Sequence, residues 1–117
     1  MNINKFTQKS IQAVNDLEKI AYEYGNQEIE EEHLLYCLLN QEDSLILKLI
    51  EKMEINKDEF QRSLIDALNK RPKVSGGQVY IGKDLNRVLV SAEDEAKAMG
   101  DEYVSVEHLF LSLLRYP

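Results

Sequence analysis

The sequence repeats itself at a fixed offset, and that limits the folds open to it. Shifted by 75 positions, Ser10, Ala13, Val14, Leu17, Ala21 and Tyr24 coincide with Leu85, Val88, Leu89, Ala92, Ala96 and Met99. Gly25 meets Gly100, Glu32-His33-Leu34 meets Glu107-His108-Leu109, and Leu38-Leu39 meets Leu113-Leu114, with no gap from Phe6 to Leu39. Where side chains differ, the slots stay apolar or small, as a packed interior requires. Two copies of one unit are therefore expected to pack as a pseudo-symmetric pair.

The apolar residues recur in steps of three and four, so the unit is helical. The spacing predicts a first helix over about 6–24, closed by Gly25, which suits a helix C-terminus. A second covers Glu31 to Leu39, with Leu34, Leu35, Leu38 and Leu39 as its buried face. A third runs from Ser44, an N-cap residue, to about Met53. A fourth begins at Asn56, with Glu59 at the capping-box position and Phe60, Leu64, Ala67 and Leu68 as its apolar face. Three of the five glycines and one of the two prolines fall within residues 71–82. That stretch reads as a connector, strand-like only over Gln78 to Ile81. Repeat one spans about 6–70, the connector about 71–82 and repeat two about 83–117. The second copy stops just after the equivalent of the second helix. The expectation is an all-α domain over 1–117 with a truncated second repeat, part of something longer. An apolar patch left open there would promote association with concentration.

A chain of 117 residues is one domain's worth. Hydrophobic residues make up 44% and charged residues 30%, a globular balance. The longest apolar run, Leu45 to Ile50, is broken by Lys48 and falls short of the roughly 18 residues a membrane span needs. No apolar signal-peptide core follows Met1-Asn2-Ile3-Asn4-Lys5. A single cysteine excludes a disulfide framework and fits a reducing, cytoplasmic setting. The net charge of −7 argues against broad nucleic-acid binding, which needs clustered Lys and Arg. Lys70, Arg71 and Lys73 read instead as a helix end and a solvated loop.

The Glu-His pairs invite a metal reading, but zinc needs three or four convergent ligands. Neighbouring helical residues diverge by about 100°, so Glu32 and His33 do not face one ion. His33 and His108 read as helix N-terminal residues, hydrogen-bonded near the repeat interface. Cys37 lies in an apolar helix and reads as structural. Glu28, Glu30, Glu31 and Glu32 read as a solvated helix start. No Gly-x-x-x-x-Gly-Lys-Ser/Thr loop and no Gly-x-Ser-x-Gly elbow is present. No catalytic or metal-ligating set emerges, and a binding module remains.

Several segments carry a family resemblance. Phe6-Thr-Gln-Lys-Ser10, Glu23-Tyr-Gly-Asn-Gln-Glu-Ile29 and Glu32-His-Leu-Leu35 are similar to a first Clp repeat. Leu85-Asn-Arg-Val-Leu89, Ala96 and Asp101-Glu-Tyr-Val-Ser-Val-Glu-His-Leu109 are similar to a second. The whole chain resembles the N-terminal domain of Clp/Hsp100 unfoldases. The connector Arg71-Pro-Lys-Val-Ser-Gly-Gly-Gln-Val-Tyr80 and the opening Asn4-Lys-Phe-Thr7 resemble the ClpB disaggregase type.

The resemblance implies two four-helix repeats, tethered in the full-length protein to ATPase modules of a homohexameric ring. ATP and magnesium belong to those modules, and this segment needs no cofactor. The domain would engage exposed segments of unfolded or aggregated proteins, with no nucleic acid or membrane involved. The Hsp70 system would collaborate through other parts of the protein. Matching the motifs residue by residue carries substrate handling to Thr7, Asp101 and Glu107. Ile3, Tyr103 and Val106 are nearby candidates for an apolar groove wall, and Phe6 a candidate for core. A ClpC- or ClpA-type relative would instead dock adaptors or phosphorylated arginine through paired acids, here Glu32 and Glu107.

Overall fold

The computed structural model describes residues 3–116; Met1, Asn2 and Pro117, at the ends of the expected domain span, lie outside them. A 3-10 turn over Ile3–Lys5 precedes α1 (Gln8–Glu23), β1 (Glu28–Ile29), α2 (Glu31–Leu39), α3 (Leu45–Lys52) and α4 (Lys57–Lys70). Then come β2 (Tyr80–Ile81), α5 (Lys83–Ala98) and α6 (Val106–Arg115). The 75-residue offset survives in detail. The helices α1 and α5 each have 16 residues, with both ends displaced by 75.

Both helices close on a glycine in the left-handed region, Gly25 at φ 69° and Gly100 at φ 73°. The Gly25 and Asn26 N–H groups donate to Tyr22 and Ala21, and those of Gly100 and Asp101 to Lys97 and Ala96. Each is a Schellman closure, which places the next residue, Asn26 or Asp101, at the same point of its unit.

Two corrections to the sequence reading concern extended segments that precede helices; α2 itself begins at Glu31, as the spacing predicts. The first helix starts at Gln8, because Thr7 is its extended N-cap and Phe6 forms a parallel bridge with Val104. The segment before α2 is also extended: Glu28–Ile29 pairs in parallel with Tyr80–Ile81. These pairings exchange under the pseudo-symmetry, since Phe6 and Val104 correspond to Ile81 and Ile29. Each repeat thus lends an extended residue to the other. The Thr7 N–H donates to Val104 O at 2.9 Å, and the Gly82 N–H to Ile29 O at 2.8 Å.

The core follows the repeat. Within each unit the first helix packs on the second, and α2 also touches α5 and α6 across the boundary. Ala13, Leu17 and Ala21 are buried, as are Val88, Leu89, Ala92 and Ala96. Leu34 and Leu38 meet Leu109 and Leu113 in the same cluster. Cys37 is buried there too, and burial pushes its thiol up to about 12, so it is a packing residue.

Candidate functional site

The polar residues concentrate where helices begin, around the junction of the repeats. At the start of α1, Thr7 Oγ1 accepts from the Ser10 N–H at 3.3 Å. Ser10 Oγ, wholly buried, in turn donates to Val104 O at 2.7 Å. Thr7 therefore holds the helix and, through Ser10, the strand residue before α6.

The two histidines do the same work in each repeat. His33 Nδ1 accepts from the Glu30 N–H at 2.9 Å, and His108 Nδ1 from the Ser105 N–H at 2.8 Å. Each imidazole takes the place of the Glu or Gln that reaches back in a capping box. With Nδ1 accepting, Nε2 carries the proton. It donates to Asn26 Oδ1 at 3.0 Å in repeat one and to Asp101 Oδ2 at 2.8 Å in repeat two. Both ring nitrogens are engaged, which leaves no lone pair for a metal. Burial, helped by the Arg71 charge, pulls His33 below the usual histidine range. Asp101, a candidate for substrate handling, thus has its carboxylate turned onto His108.

The acidic run before and within α2 is not the solvated start that the sequence suggested. The Arg71 guanidinium donates to Glu32 at 2.6 Å and to Glu28 at 3.1 Å. Glu30 is buried, and burial pushes its carboxyl up. Of the connector's basic residues, Arg71 is docked, while Lys73 makes its contacts from an exposed position. Lys73 Nζ bonds the Tyr24 carbonyl and lies 5.7 Å from that residue's ring centre. Asn26 Nδ2 donates to Pro72 O at 3.2 Å, and the Val74 N–H to Gly25 O at 2.9 Å.

Three of the seven candidate residues come together. Thr7, Val106 and Glu107 line a groove of about 360 Å³ with Gln8, Lys9, Gln41, Asp43, Leu45 and Ser105. The starts of α1, α3 and α6 form its walls. Leu45 is exposed and supplies an apolar surface, while Asp43 is held by Lys48 at 2.6 Å. Ile3 and Tyr103 are exposed beside the Phe6–Val104 bridge and do not line this groove. Phe6 is core, as expected, and so is Val106, offered as a groove wall: it is 6% exposed and packs in the same cluster, with little side chain left to the groove. Glu32 lies elsewhere, on a groove of about 380 Å³.

The Glu32 groove was missed in the sequence. Its walls are Leu35, Ile50, Met53, Ile55, Phe60, Phe110, Leu113 and Leu114, edged by Glu31 and Glu32. Leu35 and Phe110 are repeat partners, so the groove lies where the two units meet. All of its apolar residues but Met53 and Ile55, which lie between α3 and α4, fall on helices at core spacing, and periodicity does not distinguish a covered face from an open one.

Residues 5–117 match the model of the Clp repeat N-terminal domain. The chain belongs to that family. The Clp repeat domain is 45% identical over 122 residues to the chaperone protein ClpB of Nitratidesulfovibrio vulgaris, covering 100% of this chain and 14% of that protein. It is 40% identical over 114 residues to ClpB of Porphyromonas gingivalis, covering 97% and 13%. The chain thus spans about a seventh of these relatives. Among solved structures, it resembles the Hsp104 N-terminal domain from Candida albicans with a TM-score of 0.88 at 21% identity, over 96% of this chain and 75% of that one. The N-terminal domain of the Escherichia coli ClpV1 ATPase gives 0.87 at 23% identity, over 98% and 71%. At such identities the structures establish the fold of the Clp repeat domain and nothing finer. Among the described residues no helix is long and apolar enough to cross a membrane.

Proposed function

We propose that this Clp repeat domain is a non-catalytic client receptor of a ClpB-type chaperone. It would capture exposed segments of unfolded or aggregated protein for an ATP-driven ring that other parts of the full protein form. The observation that carries this reading is the groove between the starts of α1, α3 and α6, which joins Thr7, Val106 and Glu107. Leu45 offers apolar surface, and Gln8, Lys9, Gln41 and Glu107 offer a polar edge. The first N–H groups of α6 have no partner within the helix and can donate to the carbonyls of an extended segment. Contacts of this kind are modest and exchangeable, which suits a receptor that must release its client. The high identity to ClpB proteins supports the type.

Asp101 enters this reading as a positioning residue: it fixes His108, which fixes the start of α6. Thr7 likewise sets the start of α1. Glu107 and Leu45 are the residues proposed to touch the client. A paired-acid receptor for phosphoarginine fits less well. Glu32 already holds the Arg71 guanidinium, and it lines a different groove from Glu107. The ATP and magnesium requirement, the hexamer, the Hsp70 link and a cytoplasmic location belong to the proposed full-length protein.

The test is a residue-resolved NMR titration with a permanently unfolded protein and, separately, a phosphoarginine peptide. Shifts centred on Val106, Glu107 and Leu45 with the unfolded protein, weakened by Glu107→Ala, are expected. Shifts confined to Leu35, Phe110 and Leu114 would move the client to the other groove. A response only to phosphoarginine, centred on Glu32 and Glu107, would replace the reading.

A further inference from the structure

The two repeats begin their first helices differently. At Thr7 the residue's own side chain caps α1 by accepting from the Ser10 N–H. The equivalent of Thr7 is Gly82, which has no side chain to offer. Yet the Leu85 N–H, equivalent to that of Ser10, is satisfied: it donates at 3.0 Å to Glu30 Oε1, 55 residues earlier and in the other repeat. Gly82 has φ −70°, open to any residue, so the glycine is not there for backbone freedom. It is there for space, because a Cβ at this position would fall on the Glu30 carboxylate.

We infer that Glu30 is a helix cap supplied across the repeat boundary, and that it closes the repeat-one copy of the groove at Thr7. The equivalent of Glu30 is Ser105, whose short side chain turns back to its own His108 at 2.9 Å. The space beside Thr7 therefore stays open. Glu30 reaches across instead, and its carboxyl group fills the place at Gly82 that is equivalent to the α1 and α6 sides of the open groove; the α3 side has no counterpart among the described residues. The hydrogen bond needs only an acceptor oxygen, so an amide of the same length serves the cap equally. The closure half of the inference rests on the client reading of the Thr7 groove; the cap half does not.

The experiment compares thermal unfolding of the wild type, E30Q, E30A, G82S and E30A/G82S, with amide exchange at Leu85. E30Q should stay within about 1 °C of wild type, and E30A should lose about 2–8 °C in Tm. A serine at position 82 should recover most of that loss in the E30A background, as Thr7 serves α1. It should bring no gain with Glu30 present, where the two side chains compete for one place. Exchange at Leu85 should quicken in E30A and also in E30D, which is one methylene too short and serves if E30A does not fold. An unchanged Tm and Leu85 exchange in E30A and E30D would overturn the cap. So would an equal gain from G82S in both backgrounds. Titration of E30A with an unfolded protein should add shifts at Lys83 and Glu31. Their absence, with wild-type shifts at Val106 and Glu107 intact, would overturn the closure. Loss of the wild-type shifts as well would instead remove the client reading and leave the cap standing.

Discussion

Asp101 separates a residue that touches the client from one that only holds the site. Its carboxylate accepts from His108 Nε2–H at 2.8 Å, while His108 is 3% exposed. In repeat one the equivalent bond is made by an asparagine, Asn26, at 3.0 Å. The chain thus already contains the control: Asp101→Asn keeps an acceptor of the same reach and removes only the charge. Asp101→Ala removes the acceptor and leaves a nearly buried N–H unpaired, which costs about 1–2 kcal/mol when water reaches it in part. At roughly 2.1 cal/mol/K per residue, a chain of 117 residues has an unfolding entropy of about 0.25 kcal/mol/K. The alanine variant should therefore melt about 4–8 °C lower, and the asparagine variant within about 2 °C of wild type. Calorimetry gives both values, and binding of an unfolded protein is measured well below either Tm. A positioning role requires that Asp101→Asn bind as the wild type does. If it bound tenfold more weakly with an unchanged Tm, the carboxylate itself would be meeting the client, and the assignment of Asp101 through His108 would be wrong.

Three other outcomes follow from the same contacts. His33 lies below its ordinary pKa in the fold, so the unfolded chain binds its proton first as pH falls. Stability should drop as pH goes below about 6.5, and urea melts of His33→Gln, which keeps a side chain able to reach the N-cap, should show a shallower pH slope. Arg71→Ala should cost about 1 kcal/mol, since the two pairs are part-exposed and Glu28 keeps the Tyr80 hydroxyl as a donor. It should also speed protease cutting in residues 73–79; an unchanged digestion rate would mean that the connector is held without it. Cys37, buried with its thiol pushed up to about 12, should resist a maleimide until the chain unfolds, and labelling at the rate of a free thiol in the native state would contradict its packing role.

The sequence alone determined the element type, the repeat and much of the core. The reason is that burial and helical pitch act on spacing, and spacing is local. Ala13, Leu17, Ala21, Leu34 and Leu38 are legible in this way, as are the caps at Ser44 and Asn56, because a cap bonds two or three residues ahead. The Gly25 and Gly100 closures belong to the same class.

Tertiary structure alone decided which polar residues meet. Arg71 finds Glu32 across 39 positions, and Leu85 finds Glu30 across 55. No periodicity encodes such pairs, so the acids of α2 resembled a solvated start and Arg71 part of a solvated loop. The exchanged pairings of Phe6 with Val104 and Ile29 with Ile81 were equally invisible, since a strand of one or two residues has no period to read. The candidate site divides along the same line. The sequence could name Thr7, Val106, Glu107, Asp101 and Glu32 together, Val106 only as a neighbour of the motif residues and Glu32 only as the repeat partner of Glu107. Only the packing of α1, α3 and α6 assigned the first three to one groove, turned Asp101 onto a histidine and committed Glu32 to an arginine.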